Sequence, residues 1–109
     1  TNSAKLGYGI CICKYTGARG KAGSNDANAE FVSKVRQIFN NADVPWQTGE
    51  LGKVDQGGGG TIAYIMANWG CEVVDCGVAM LSMHAPLEIV AKTDAYCAYQ
   101  AYKAFFESR

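Results

Sequence analysis

Four consecutive apolar residues, Ile10, Cys11, Ile12 and Cys13, set the strongest constraint on how this chain can fold. An alternating strand hides one face and wets the other, whereas an unbroken apolar run this short needs cover on both faces. The run lies within YGICICKY (Tyr8 to Tyr15), and the expectation is a strand inside a sheet flanked by other elements. A glycine-punctuated loop follows, with Gly17, Gly20 and Gly23. Beyond it Phe31, Val32, Val35, Ile38, Phe39 and Ala42 recur at helical spacing, with Ser33, Lys34, Arg36, Gln37 and Asn40 on the other side. That is a half-buried helix. Ser24, Asn25, Asp26 and Asn28 are its possible N-caps, none with Glu or Gln three residues later to complete a capping box. Glu30 suits the positive end of the helix, and Asp43 to Pro45 closes it, since a proline disfavours helical backbone in the residue before it.

The rest of the chain continues the alternation. Trp46 to Leu51 is expected as a short strand or extended loop, and Thr61 to Trp69 as a short apolar helix stopped by Gly70. CEVVDC (Cys71 to Cys76) reads as a second strand and Val78 to Met83 as a third extended piece. Pro86 and Glu88 fit the first turn of a last helix running to about Phe106. Its apolar residues, among them Tyr96, Cys97, Tyr99, Tyr102, Phe105 and Phe106, point to most sides, so it needs neighbours on more than one. Strands alternating with helices predict an α/β fold. At 109 residues the chain has room for one core, and its few short strands sit beside helices that want more cover than they supply. The expectation is a piece completed by other polypeptide.

Ten basic residues offset ten acidic ones, which disfavours nucleic acid as a partner. No apolar stretch is long enough for a membrane span, and TNSAKLGYG lacks the layout of a signal peptide. Five cysteines, Cys11, Cys13, Cys71, Cys76 and Cys97, cannot close a complete disulfide set, and no CxxC pair occurs. Together these predict a soluble, cytoplasmic chain with reduced, buried thiols.

Four features bear on chemistry. TGARGKAGS (Thr16 to Ser24) joins a strand to a helix as a phosphate loop does, but Ala18 and Arg19 alone separate Gly17 from Gly20 and Ala22 follows Lys21, so the spacing fails. Lys14 stands at a strand end, where α/β sheets keep their ligand crevice, and is able to counter a carboxylate; taken alone, it reads as an ordinary lysine. Gly57 to Gly60 either lines a binding site with bare backbone or is a plain loop. His84, the sole histidine, also follows an extended piece. No second histidine can join it, and Glu50, Asp55, Asp75 and Glu88 have no spacing to it that argues for ligation.

CKYTGARGKAGSNDANAEFV, VPWQTGELGKVDQGGGGTIA, EVVDCGVAMLSMHAPLEIVAKTDAY and YKAFF, in this order, resemble the C-terminal part of the aspartyl aminopeptidase and aminopeptidase I family of cocatalytic zinc exopeptidases. LGKVDQGGGGT and DCGV…LSMH are the specific segments. The resemblance implies that residues 1–109 are the C-terminal segment of a catalytic domain with a mixed sheet between two helical layers. It implies two zinc ions per active site and a peptide substrate. His84 becomes the last metal-binding histidine, with Ala85 where the family usually has Ser. Lys14 becomes the lysine beside the substrate's side chain, fitting an acidic N-terminal residue, and Gly58 and Gly59 the wall beside the scissile residue. The other metal ligands and the general base belong to family segments upstream of this one, so the chain alone is expected to be inactive and to act within a large homo-oligomer. Two other roles stay open: a non-catalytic assembly or scaffold segment, and a small anion-binding module built on TGARGKAGS.

Overall fold

The computed structural model describes residues 3–16, 25–50 and 61–108. The first strand, β1 (Ile10–Cys13), is central; β2 (Tyr15–Thr16) leaves its line to pair antiparallel with β3 (Asn25–Asp26). Helix α1 (Ala29–Asn41) leads to β4 (Trp46–Gly49), which runs parallel to β1 with Ile10 opposite Trp46 and Cys13 opposite Gly49. After α2 (Ala63–Asn68), β5 (Asp75–Gly77) pairs with β1 on its other side, antiparallel. The chain ends in α3 (Lys92–Glu107). The sheet is therefore mixed, in the order β4-β1-β5, and the α/β expectation holds.

The expected strand is shorter than YGICICKY because of its ends. Gly9 has φ +94, a value an L-residue avoids, and a Cβ there would lie 2.2 Å from the Pro45 carbonyl oxygen. That oxygen instead accepts the Ile10 N–H at 3.2 Å, which starts the β1–β4 ladder. Ile10 and Ile12 are fully buried and cluster with Val32, Val35 and Phe39 of α1 and Ala98 and Ala101 of α3. Phe31 and Phe105 join the two helices edge to face, with ring centroids 6.4 Å apart. Strand alternation turns Cys11 and Cys13 to the opposite face.

Asn28 is the N-cap of α1: its Oδ1 accepts the N–H groups of Glu30 at 2.8 Å and Phe31 at 3.2 Å. At the other end Asp43 takes a left-handed φ of 55. The Val44 N–H bonds the Phe39 carbonyl at 2.9 Å and the Asp43 N–H bonds that of Asn40 at 3.1 Å. This is a Schellman closure, with Val44 and Phe39 both in the core. Hydrogen bonding at Asp43, more than the reach of Pro45, ends the helix. Asn28→Ala is expected to cost about 1 kcal/mol, read as a fall in helix protection against hydrogen exchange at Glu30 and Phe31.

Three expectations change in the second half. CEVVDC pairs only from Asp75, and Val78 to Met83 contributes one isolated bridge, Leu81 with Ile89. The last helix starts at Lys92, so Pro86 and Glu88 stand before it. The cause is local: the Leu81–Ile89 bridge closes the intervening residues into a loop, and the acidic residue in the first turn of α3 is Asp94. Asp94 is fully buried, and its carboxylate accepts the N–H groups of Gly7 at 2.8 Å and Gly9 at 2.9 Å.

The cysteine expectation holds in part. All five thiols are free, but only Cys11 is buried and Cys71 is exposed. Cys11 and Cys13 lie 4.0 Å apart, Sγ to Sγ. The hydrogen bond to Cys11, and then burial, push the Cys13 thiol up. Burial, with Cys13 and Asp75 nearby, pushes Cys76 up to about 12. Cys13 and Cys76 are thus protonated at neutral pH and poor nucleophiles.

Candidate functional site

Lys14 directly follows β1, at the C-terminal ends of the parallel pair β1 and β4. This is the end of an α/β sheet where ligand crevices form. A cavity of about 450 Å³ opens there, lined by Lys14, Ser33 and Arg36 with Thr48, Gly49 and Glu50. The Lys14 ammonium is half-exposed and already forms an ion pair with the Asp26 carboxylate. Asp26, one of the N-cap possibilities, thus serves the lysine instead. The pairing orients Lys14 and also dilutes its pull on a second carboxylate. The Arg36 guanidinium stacks 4.7 Å from the Trp46 ring centre.

His84 lies elsewhere and is not in the wall of that cavity. It does not follow a strand, as the sequence suggested, but sits in the exposed loop closed by Leu81 and Ile89. Ser82 and His84 both have left-handed backbone, at φ 59 and 68. The Ser82 carbonyl accepts the Ala85 N–H at 3.0 Å, and Glu88 Oε1 accepts the His84 backbone N–H at 2.6 Å. Among the described residues the imidazole itself has no hydrogen-bond partner.

The donor set is correspondingly small. Among the described residues no three His, Cys, Asp or Glu side chains come together in a way that could hold a metal ion. An exposed, uncommitted imidazole fits one position around zinc, whereas a catalytic zinc needs about three protein ligands. The described residues thus offer one candidate ligand, not a site. Glu50 and Asp75 do not join it: Glu50 lines the Lys14 cavity, and Asp75 Oδ2 accepts the Thr61 hydroxyl at 3.0 Å. Gly58 and Gly59, Asp55 and nearly all of TGARGKAGS lie outside the described residues. Sequence reasoning weighed Asp26 only as a cap and passed over Asp94, because both act through partners outside the local pattern.

A second cavity, of about 390 Å³, opens between α1, α3 and β5, with Val35, Phe39, Val74, Cys76 and Phe105 in its wall. The Tyr102 hydroxyl at its edge donates to the Cys76 carbonyl at 2.7 Å. Large apolar side chains remain in solvent nearby, Trp69 at 80% exposure and Phe106 at 82%. No described helix is long and apolar enough to cross a membrane.

Comparison with known proteins gives one answer. Residues 1–106 match the model of the aminopeptidase I zinc metalloprotease (M18) family. A probable M18 family aminopeptidase 1 of Clostridium acetobutylicum is 59% identical over 107 residues, covering 98% of this chain and 23% of the relative. The crystal structure of aminopeptidase I from that organism superposes with a TM-score of 0.89 at 59% identity, over 98% of this chain and 24% of that one. An M18 aminopeptidase structure from Thermotoga maritima gives 0.91 at 54% identity, over 99% of this chain and 24% of that one. The chain thus spans about a quarter of the length of the relatives it matches. Matched along nearly its whole length by both sequence and fold, it belongs to the aminopeptidase I zinc metalloprotease (M18) family.

Proposed function

We propose that this chain is the C-terminal segment of the catalytic domain of a zinc aminopeptidase that removes N-terminal residues, acidic ones among them, from peptides. The observation that carries the reading is His84: its imidazole is held out on a backbone-closed loop with no partner of its own among the described residues. His84 holds metal as a neutral imidazole, while the other ligands and the general base come from polypeptide beyond these residues. Two zinc ions, when bound, supply Lewis-acid chemistry for amide hydrolysis. Lys14 and its cavity receive the side chain of the residue being removed, and Gly58 and Gly59 border the scissile bond. The direct test is hydrolysis of N-terminal residues from peptides by the complete protein, lost on chelation and restored by zinc. Activity that survives full metal removal refutes the reading.

Specificity gives a separate check. Lys14→Met is expected to lower kcat/KM for peptides beginning with Glu or Asp about tenfold, with little change for those beginning with Ala. A charge-assisted hydrogen bond is worth roughly 10- to 100-fold, and the Asp26 pairing places Lys14 at the lower end. Equal losses on both substrates would remove the lysine's role in choosing the substrate.

The exposed apolar side chains support the partner assignment. Ile62, Ile65 and Trp69 around α2, and Tyr96, Tyr99 and Phe106 on α3, are surfaces that an isolated domain would bury. The remainder of the catalytic domain and neighbouring copies in a homo-oligomer are their proposed cover, in the cytoplasm. The same surfaces favour the second reading, a non-catalytic assembly segment, which predicts that the isolated chain shows no zinc-dependent hydrolysis while remaining bound to its partner segment.

A further inference from the structure

We propose that Glu88 is a positioning residue for the His84 imidazole. The proposal rests on the reading that His84 binds metal. The loop Ser82 to Glu88 has a closed neck: the Leu81 N–H bonds the Ile89 carbonyl at 2.8 Å and the Ile89 N–H bonds that of Leu81 at 3.1 Å. Every residue from Leu81 to Val90 is exposed, so core packing does not fix the loop's shape. Yet Ser82 and His84 both hold a left-handed backbone, which residues with a Cβ adopt at a cost. Such a conformation persists only where its surroundings over-determine it.

Two interactions inside the neck supply that determination. The Ser82 carbonyl takes the Ala85 N–H at 3.0 Å, forming a turn around Met83 and His84. Glu88 then takes the His84 backbone N–H on its carboxylate at 2.6 Å, a charge-assisted bond stronger than a neutral one. Glu88 sits beside the neck residue Ile89, so its position is set by the bridge. The chain of constraint runs from the bridge to Glu88, from Glu88 to the His84 backbone, and from that φ to where the ring points. Without Glu88 the loop is free to relax towards ordinary backbone. The fraction of molecules presenting the imidazole falls, and apparent metal affinity falls with it.

The experiment uses the complete protein with Glu88→Ala, Glu88→Gln and His84→Ala. Three quantities are read: the zinc dissociation constant by competition with a chromogenic chelator, the visible spectrum after cobalt substitution, and amide exchange at residue 84. Glu88→Ala is expected to weaken zinc about 10- to 100-fold, the range for losing a partner that orients a ligand, and to speed exchange at His84. Glu88→Gln keeps an acceptor oxygen in place and should retain most of the affinity and the cobalt spectrum. If His84→Ala loses zinc while Glu88→Ala binds it at full strength, Glu88 has no positioning role. If Glu88→Gln is as damaging as Glu88→Ala and alters the cobalt spectrum, Glu88 is itself a ligand and the proposal is overturned. If His84→Ala binds zinc normally, the underlying reading of His84 is what fails.

Discussion

Replacing Asp94 by Ala is expected to destabilise the sheet and the segment leading into it by about 3–5 kcal/mol, the largest stability effect the fold predicts. Asp94 is fully buried, and each carboxylate oxygen accepts one backbone N–H, from Gly7 at 2.8 Å and Gly9 at 2.9 Å. Hydrogen bonds to a charged group contribute about 1.5–3 kcal/mol each, and a buried N–H left without an acceptor costs about 1–3 kcal/mol. The first turn of α3 adds its own favourable field for a carboxylate. Ala removes all of this at once, although solvent can reach the exposed Gly7 and recover a share. Asn keeps one acceptor but aims an amide NH₂ at the second N–H, so about 2 kcal/mol is expected. Gly9→Ala attacks the same joint from the other side. Its Cβ would meet the Pro45 carbonyl oxygen at 2.2 Å on a backbone of φ +94, and about 3 kcal/mol is expected from strain and crowding together. Native-state hydrogen exchange at Ile10–Cys13 in the complete protein reads these as local opening free energies. A change under 1 kcal/mol for Asp94→Ala would show that the clamp does not hold the strand.

Why Asp94 escaped notice in the sequence while α1 did not is a matter of range. The stripe of α1 is periodic within thirteen residues, and Val32, Val35 and Phe39 are buried as that spacing requires. Asn28 stood among four possible caps, and only the local backbone decides between them. The clamp joins residues 85 and 87 positions apart, and nothing in the local pattern announces such a pair. A carboxylate in the first turn of the last helix was the available signal, but Pro86 and Glu88 imitated a helix start six residues too early. The loop from Leu81 to Ile89 reads in sequence as an apolar strand followed by a helix; its bridge and two left-handed residues make it neither. For α3, apolar side chains on most sides did announce missing neighbours, and Tyr96, Tyr99 and Phe106 are indeed in solvent. The site was less legible than the fold. One histidine has no spacing partner, so periodicity and charge left His84 undecided, and only the likeness of whole segments singled it out. The pairing of Lys14 with Asp26 depends on β2 and β3 folding back on each other, which two-residue strands do not signal.

His84→Ala in the complete protein is expected to have the largest effect on activity. A metal site loses more when a ligand is removed than when a partner orienting that ligand is removed, and the latter already costs about 10- to 100-fold in metal affinity. The expected result is a loss of more than about 100-fold in affinity at one of the two proposed zinc positions. Peptide hydrolysis should fall by at least as much, since in the proposed function amide cleavage relies on the Lewis acidity of zinc. Stability should hardly move. His84 is exposed, its ring has no hydrogen-bond partner among the described residues, and an exposed side chain away from a cap or buried bond changes stability by less than about 0.5 kcal/mol. Alanine also keeps the backbone N–H that Glu88 accepts, so the loop's anchor survives, although any Cβ-bearing residue at φ 68 carries the same strain. This separation makes the variant decisive. Metal content by atomic absorption, hydrolysis rate and melting temperature are measured on one preparation. Lost zinc and lost hydrolysis at an unchanged melting temperature identify a ligand; a lowered melting temperature with full zinc content identifies a structural residue. Full zinc and full activity together would leave the exposed imidazole outside the metal centre.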